Sequence, residues 1–153
     1  MRQLRILLLL LCAPGLSLAA ALPPAATNWD RITVAPMKTS IYVGSVTLTT
    51  GDLVRAGSSL AATYDARVFP WFFWSETGRI KISLTDEVLA HLAKGETAEF
   101  SGDALNHKGK PRAVTGRAQP TDPTSGKIKV RIKVDDVELI FNGRYQFSGP
   151  QRG

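Results

Sequence analysis

Lys127-Ile128-Lys129-Val130-Arg131-Ile132-Lys133-Val134 alternates basic and apolar residues without a fault. Successive side chains of a strand point to opposite faces, so this pattern suits a strand with one buried and one solvated face. A helix would scatter the apolar positions around its axis. After Asp135-Asp136, a second run extends from Val137 to Phe147. A two-residue turn pairs Val134 with Val137, Ile132 with Leu139 and Val130 with Phe141 on one face, and Lys133 with Glu138 on the other.

The same period recurs upstream. Residues 40–49 are rich in β-branched residues and end at Gly51-Asp52; 60–68 and 79–84 are further strands. Residues 100–104 and 114–118 flank a loop at 107–111, and folding about Gly109 sets Gly102 opposite Gly116. One short helix is expected over 86–94, with Thr85 as N-cap, Asp86 and Glu87 in its first turn and Gly95 beyond its end. About seven antiparallel strands and one helix make a mainly β chain, a small barrel or sandwich. The barrel is preferred because glycines inside three strands would relieve its bends.

Export is read from the N-terminus. Arg2 and Arg5 precede the apolar run 6–11, and small residues follow at 17–21, as in a secretory signal peptide over 1–21. Its shortness fits a bacterial signal, which places the chain in the periplasm or outside the cell. The run is too short to span a bilayer, which takes about 20 residues. Cleavage would remove Cys12, the sole cysteine, and take the formal net charge from +6 to +4. Neither disulfide nor thiol chemistry would then remain. With 44% hydrophobic residues the chain can bury a core, which excludes disorder. The expected organisation is a signal peptide over 1–21, a lead-in over 22–38, one β domain over 39–148 and a tail over 149–153. The strands read as too short to span lipid, which takes about 9–11 residues per strand.

Two features point to binding. Phe69-Pro70-Trp71-Phe72-Phe73-Trp74 gathers five of the twelve aromatic residues into six positions. Pro70 bars the segment from the middle of a sheet. The rings either close one end of the core, form an exposed loop for lipid, glycan or a partner, or line an internal cavity. The second feature is basic. Lys127, Lys129, Arg131 and Lys133 line one face of the last hairpin, within a region that also holds Lys108, Lys110, Arg112 and Arg117. Such a stripe either attracts anionic lipid or envelope polymer, or serves as a solvated face that resists edge pairing.

Catalytic signals are sparse. His91 and His107 lack a second imidazole at i+3 or i+4, and no Gly-x-Ser-x-Gly frames a serine. A carboxylate pair such as Glu76 with Asp103 is a candidate that nothing selects. Asp135, Asp136 and Glu138 read as turn residues and a partner for Lys133. No cofactor or metal is expected. The expectation is an exported, non-enzymatic domain that binds an anionic or amphiphilic envelope component through Phe69, Trp71, Phe72, Phe73 and Trp74 together with the basic face. The alternatives are a barrel carrying a small apolar ligand, lined by Phe69, Trp71, Phe141 or Tyr145, and an accessory protein-interaction domain. Nucleic acid is disfavoured as a partner, since export separates a chain from it and no binding motif is present.

Overall fold

The computed structural model describes residues 29–149. The strands are β1 (Arg31–Val34), β2 (Met37–Ile41), β3 (Gly44–Thr50), β4 (Leu53–Ala56), β5 (Ser59–Phe69), β6 (Glu76–Ser83), β7 (Ala98–Asn106), β8 (Pro111–Pro120), β9 (Ser125–Val134) and β10 (Val137–Ser148). Helix α1 (Asp86–Ala93) lies between β6 and β7. Eight strands close into an antiparallel barrel in the cyclic order β1-β4-β5-β6-β7-β8-β9-β10, with β10 pairing back to β1. β2 and β3 form a hairpin that continues the wall beyond β1 and β4 and pairs with the far half of β5.

Antiparallel pairing throughout gives the barrel two distinct ends. At one, α1 closes the mouth, with Leu84, Leu89 and Leu92 buried. Thr85 caps the helix by accepting from the Val88 N–H at 3.3 Å, and the Asp86 carboxylate receives Arg55 from β4 at 3.0 Å. At the other end lie the β2–β3, β5–β6, β7–β8 and β9–β10 turns. Between them runs one continuous apolar core, which includes Leu48, Leu60, Val114, Val130 and Phe141. Charged side chains of β9, among them Lys127, Arg131 and Lys133, are exposed on the outside while Val130 and Ile132 are buried. This polarity is the reverse of a membrane-spanning barrel, whose outer wall is apolar.

The last hairpin has the expected register: Val134↔Val137, Lys133↔Glu138, Ile132↔Leu139 and Val130↔Phe141. Asp135 supplies the left-handed residue of its two-residue turn, at φ 51°. The β7–β8 hairpin differs from expectation, since Gly102 faces Val114 while Gly116 faces Phe100. The turn is centred one residue earlier than Gly109. Asn106 Oδ1 accepts from the backbone of Lys108 and Lys110, and Gly109 adopts φ 74°. A shift by an even number of residues preserves which side chains face inward. Gly116 is required where it stands, because a Cβ there would sit 2.6 Å from the Lys129 backbone carbonyl oxygen as well as 2.2 Å from the Phe100 ring.

Three further expectations change. The segment expected as a lead-in over 22–38 includes β1 and the start of β2, and Trp29 stacks on Phe147 at 4.1 Å. Several strands are longer than expected, β10 reaching 12 residues. The helix ends at Ala93, with Lys94 as its C-cap. The expected signal peptide and all of the expected tail except Gly149 lie outside the described residues.

Candidate binding surfaces

β5 runs outward to Phe69, turns through a cis Phe69–Pro70 bond, and passes through a single 3-10 turn at Phe72–Trp74 before β6 begins. None of the five rings joins the core. Phe69, Phe72, Phe73 and Trp74 are 59–72% exposed and Trp71 is 38% exposed. The rings touch one another instead: Phe73 and Trp74 meet at 5.3 Å, Trp71 and Trp74 at 5.8 Å, and Phe69 and Phe72 at 6.0 Å. Trp71 donates its indole N–H to the Val43 carbonyl at 3.2 Å, tying the segment to the tip of the β2–β3 hairpin. Tyr42 and Val43 at that tip are also exposed, so two neighbouring turns present one apolar cap. The reading of these rings as closing the core is therefore not what the fold adopts.

A polar cluster closes the barrel behind this cap. Arg112, buried on the inward face of β8, grips Glu76 at 3.1 and 3.3 Å. Tyr64 donates to Glu76 at 2.9 Å and the Asn106 amide donates to Glu76 at 3.0 Å, while Arg112 also reaches Asp135 at 3.4 Å. Burial alone would raise the Glu76 pKa, but the hydrogen bonds from Arg112, Asn106 and Tyr64 outweigh it and hold the carboxyl below its ordinary value. Burial, reinforced by the bond to Glu76, raises the Tyr64 pKa. Every charge in the cluster has a partner, which suits a structural plug better than a reactive site.

The candidate acid–base pair does not form. Glu76 belongs to this internal cluster, whereas Asp103 is exposed on the outer wall opposite Lys81. His91 is hydrogen-bonded to Glu96, and no group of three or more metal-ligating side chains comes together among the described residues.

The interior void is small. An apolar cavity of about 70 Å³ lies beneath α1 with Tyr145 and Phe147 in its lining, and another of about 20 Å³ adjoins Phe141 and Arg112. The Thr50 hydroxyl, in the lining of the larger one, is buried without a hydrogen-bond partner. Phe69 and Trp71, expected from the sequence as cavity lining, are exposed at the barrel end.

The basic residues occupy a separate surface. β9 lies four strand positions from β5 in either direction around the ring, so its stripe lies on the wall opposite the strand that leads to the aromatic cap. Lys127, Arg131 and Lys133 are exposed and Lys129 half-buried. Only Lys133 approaches the end that carries the cap. Lys129 and Arg131 border an outer groove of about 480 Å³ together with Glu99, Ser101, Thr115 and Arg117. Sequence alone puts Arg117 in the basic region without assigning it to a site. Its place beside Lys129 comes only from the β8–β9 register. Comparison with family models, curated proteins and solved structures gives no match for this chain.

Proposed function

We propose that this chain is an exported binding domain that seats end-on against the lipid interface of the cell envelope. The observation that carries this reading is the apolar cap: Tyr42, Val43, Phe69, Trp71, Phe72, Phe73 and Trp74 exposed together on two adjoining turns. Water-facing clusters of this kind are costly for a monomer, and Trp and Tyr suit an interface that is apolar on one side and wet on the other. At about 25 cal/mol per Å², inserting four such rings supplies several kcal/mol.

Charge placement favours the same orientation. Lys38, Arg67, Lys108, Lys110 and Lys133 lie toward the capped end, against Asp65, Asp135, Asp136 and Glu138. The half nearer α1 is close to balanced, with Asp30, Asp52, Asp86, Glu87, Glu96, Glu99 and Asp122 against Arg31, Arg55, Lys94, Arg117, Lys127 and Arg144. An anionic bilayer would attract the capped end, at about 1 kcal/mol per basic residue near the surface. No cap residue lines either internal cavity, so the rings form a tip rather than a groove. The carrier alternative has less support, because a 70 Å³ void falls well short of the roughly 300–1,000 Å³ of ligand pockets.

Co-sedimentation of residues 22–153, which contain the whole barrel, with anionic and neutral vesicles tests the proposal. Anionic vesicles should carry the protein down. The double substitution Phe72→Ser/Trp74→Ser should lower the partition coefficient at least about tenfold by removing roughly 1.4 kcal/mol or more of inserted area. Equal binding by parent and variant, or none by the parent, would overturn it.

A further inference from the structure

The outer groove on β7, β8 and β9 has a composition that solvation of a sheet face does not require. Two cross-strand rows build it: Ser101–Thr115–Arg131 and Glu99–Arg117–Lys129. In the first row two short hydroxyl side chains stand beside a long cation, which opens the space. In the second row Arg117 and Lys129 face each other directly. Like charges in directly opposed positions destabilise a sheet. Lys129 is half-buried, and neither it nor Arg117 takes part in an ion pair among the described residues. Arg131 has only a loose contact with Glu138, at 3.9 Å. The groove therefore brings three cations and two hydroxyl donors around about 480 Å³, with Glu99 as its single carboxylate.

We infer that this groove binds a phosphoryl group carried on a hydroxylated scaffold. Arg117 and Arg131 offer planar guanidinium forks that match two oxygens of a tetrahedral anion, and Lys129 adds a compact charge between them. The Ser101 and Thr115 hydroxyls donate to the remaining phosphoryl oxygens. Glu99 would repel the anion itself but accepts hydrogen bonds from neighbouring hydroxyls, which selects a sugar or glycerol phosphate over a bare anion. The volume leaves room for more than one phosphate. The site lies away from the aromatic cap and stands independently of the lipid-seating proposal. Lys127 provides an internal control: it faces Arg144 across β9 and β10 in the same like-charge arrangement, outside the groove.

Thermal denaturation of residues 22–153 with inorganic phosphate, and with chloride at matched ionic strength, reads binding directly, because a ligand specific to the folded state raises Tm. Phosphate should stabilise more than chloride, and glucose 6-phosphate more than phosphate. Lys129→Gln/Arg131→Gln should weaken phosphate binding about tenfold or more, as expected for loss of charge-assisted hydrogen bonds, whereas Lys127→Gln/Lys133→Gln, with the same change in net charge, should leave it within about twofold. Equal weakening in the two variants, or chloride matching phosphate, would overturn the site. To separate the sources, the Phe72→Ser/Trp74→Ser protein is offered phosphatidylglycerol vesicles. Capture dependent on Lys129 and Arg131 identifies a lipid headgroup, and glucose 6-phosphate binding without capture a soluble or polymer-borne sugar phosphate. Neither ligand binding would overturn the assignment of the carried group.

Discussion

The two ends of the barrel are closed by opposite means. At the helix end, Leu84 and the inner face of α1, Leu89 and Leu92, are withdrawn from water. At the other end the plug is polar, Glu76 held by Arg112, Tyr64 and Asn106, while the aromatic segment 69–74 remains outside it. A barrel that needed only stability could have folded Phe72 or Trp74 over its open mouth. That the mouth is sealed by a hydrogen-bonded ion pair leaves the rings available, and the proposed binding role rests on this contrast between apolar residues used as core and apolar residues held out of it.

The contrast predicts different responses to substitution. The largest effect should come from breaking the polar plug on one side. Arg112→Leu leaves the Glu76 carboxylate buried without its counter-charge and should lower unfolding free energy by about 3–5 kcal/mol in chemical denaturation. Glu76→Leu/Arg112→Leu should recover more than half of that loss, since no uncompensated charge then remains. If the double variant is as unstable as the single, the pair does more than neutralise itself. At the helix end, Leu89→Ala removes a fully buried side chain and should cost about 2–4 kcal/mol.

The final hairpin is legible in register because two independent patterns, apolar inside and Lys133 against Glu138 outside, agree over a two-residue turn. β1 reads as part of the lead-in for the converse reason. Arg31-Ile32-Thr33-Val34 is short, Pro36 separates it from β2, and its partners, β4 and β10, are distant in sequence. The polar plug leaves one usable signal: Arg112 occupies an inward position in the alternation Arg112, Val114, Gly116, Ala118, where a charge requires a buried partner. Which partner it takes depends on β6 and β8 lying two strands apart in the ring, which no local pattern encodes. The aromatic segment is plain in the sequence, but its exposure is not, because a ring that closes a core and a ring that projects from it have the same sequence.

Titration should sharpen the comparison at the polar end. The Glu76 pKa is lowered in the folded state, so its contribution is present above the unfolded carboxylate value of about 4.3 and is lost as pH falls through the lower folded value. Glu76→Gln should flatten that part of the acid limb of a denaturation–pH profile, and an unchanged limb would assign acid sensitivity elsewhere. In base the sign reverses. Tyr145 is pushed up to about 12, chiefly by burial, and Tyr64 is raised as well. Stability should decline as pH rises above the unfolded tyrosine value of about 10, where only the unfolded chain gives up these protons. Ultraviolet titration of tyrosinate would detect both groups ionising late.

The smallest effect on stability should come from the aromatic cap. Phe72→Ser/Trp74→Ser should leave unfolding free energy within about 0.5 kcal/mol of the parent, as for substitutions that remove no buried contact. A loss of several kcal/mol would mean that the rings are core after all.

Tryptophan emission tests the central claim most directly. In a Trp29→Phe protein, which keeps a ring to stack on Phe147, only Trp71 and Trp74 report. Exposed indoles should give red-shifted emission in buffer, readily quenched by acrylamide, with a blue shift and protection from quenching when anionic vesicles are added. Emission already blue in buffer and indifferent to vesicles would place both indoles in the interior and contradict the assignment of this end as the binding surface.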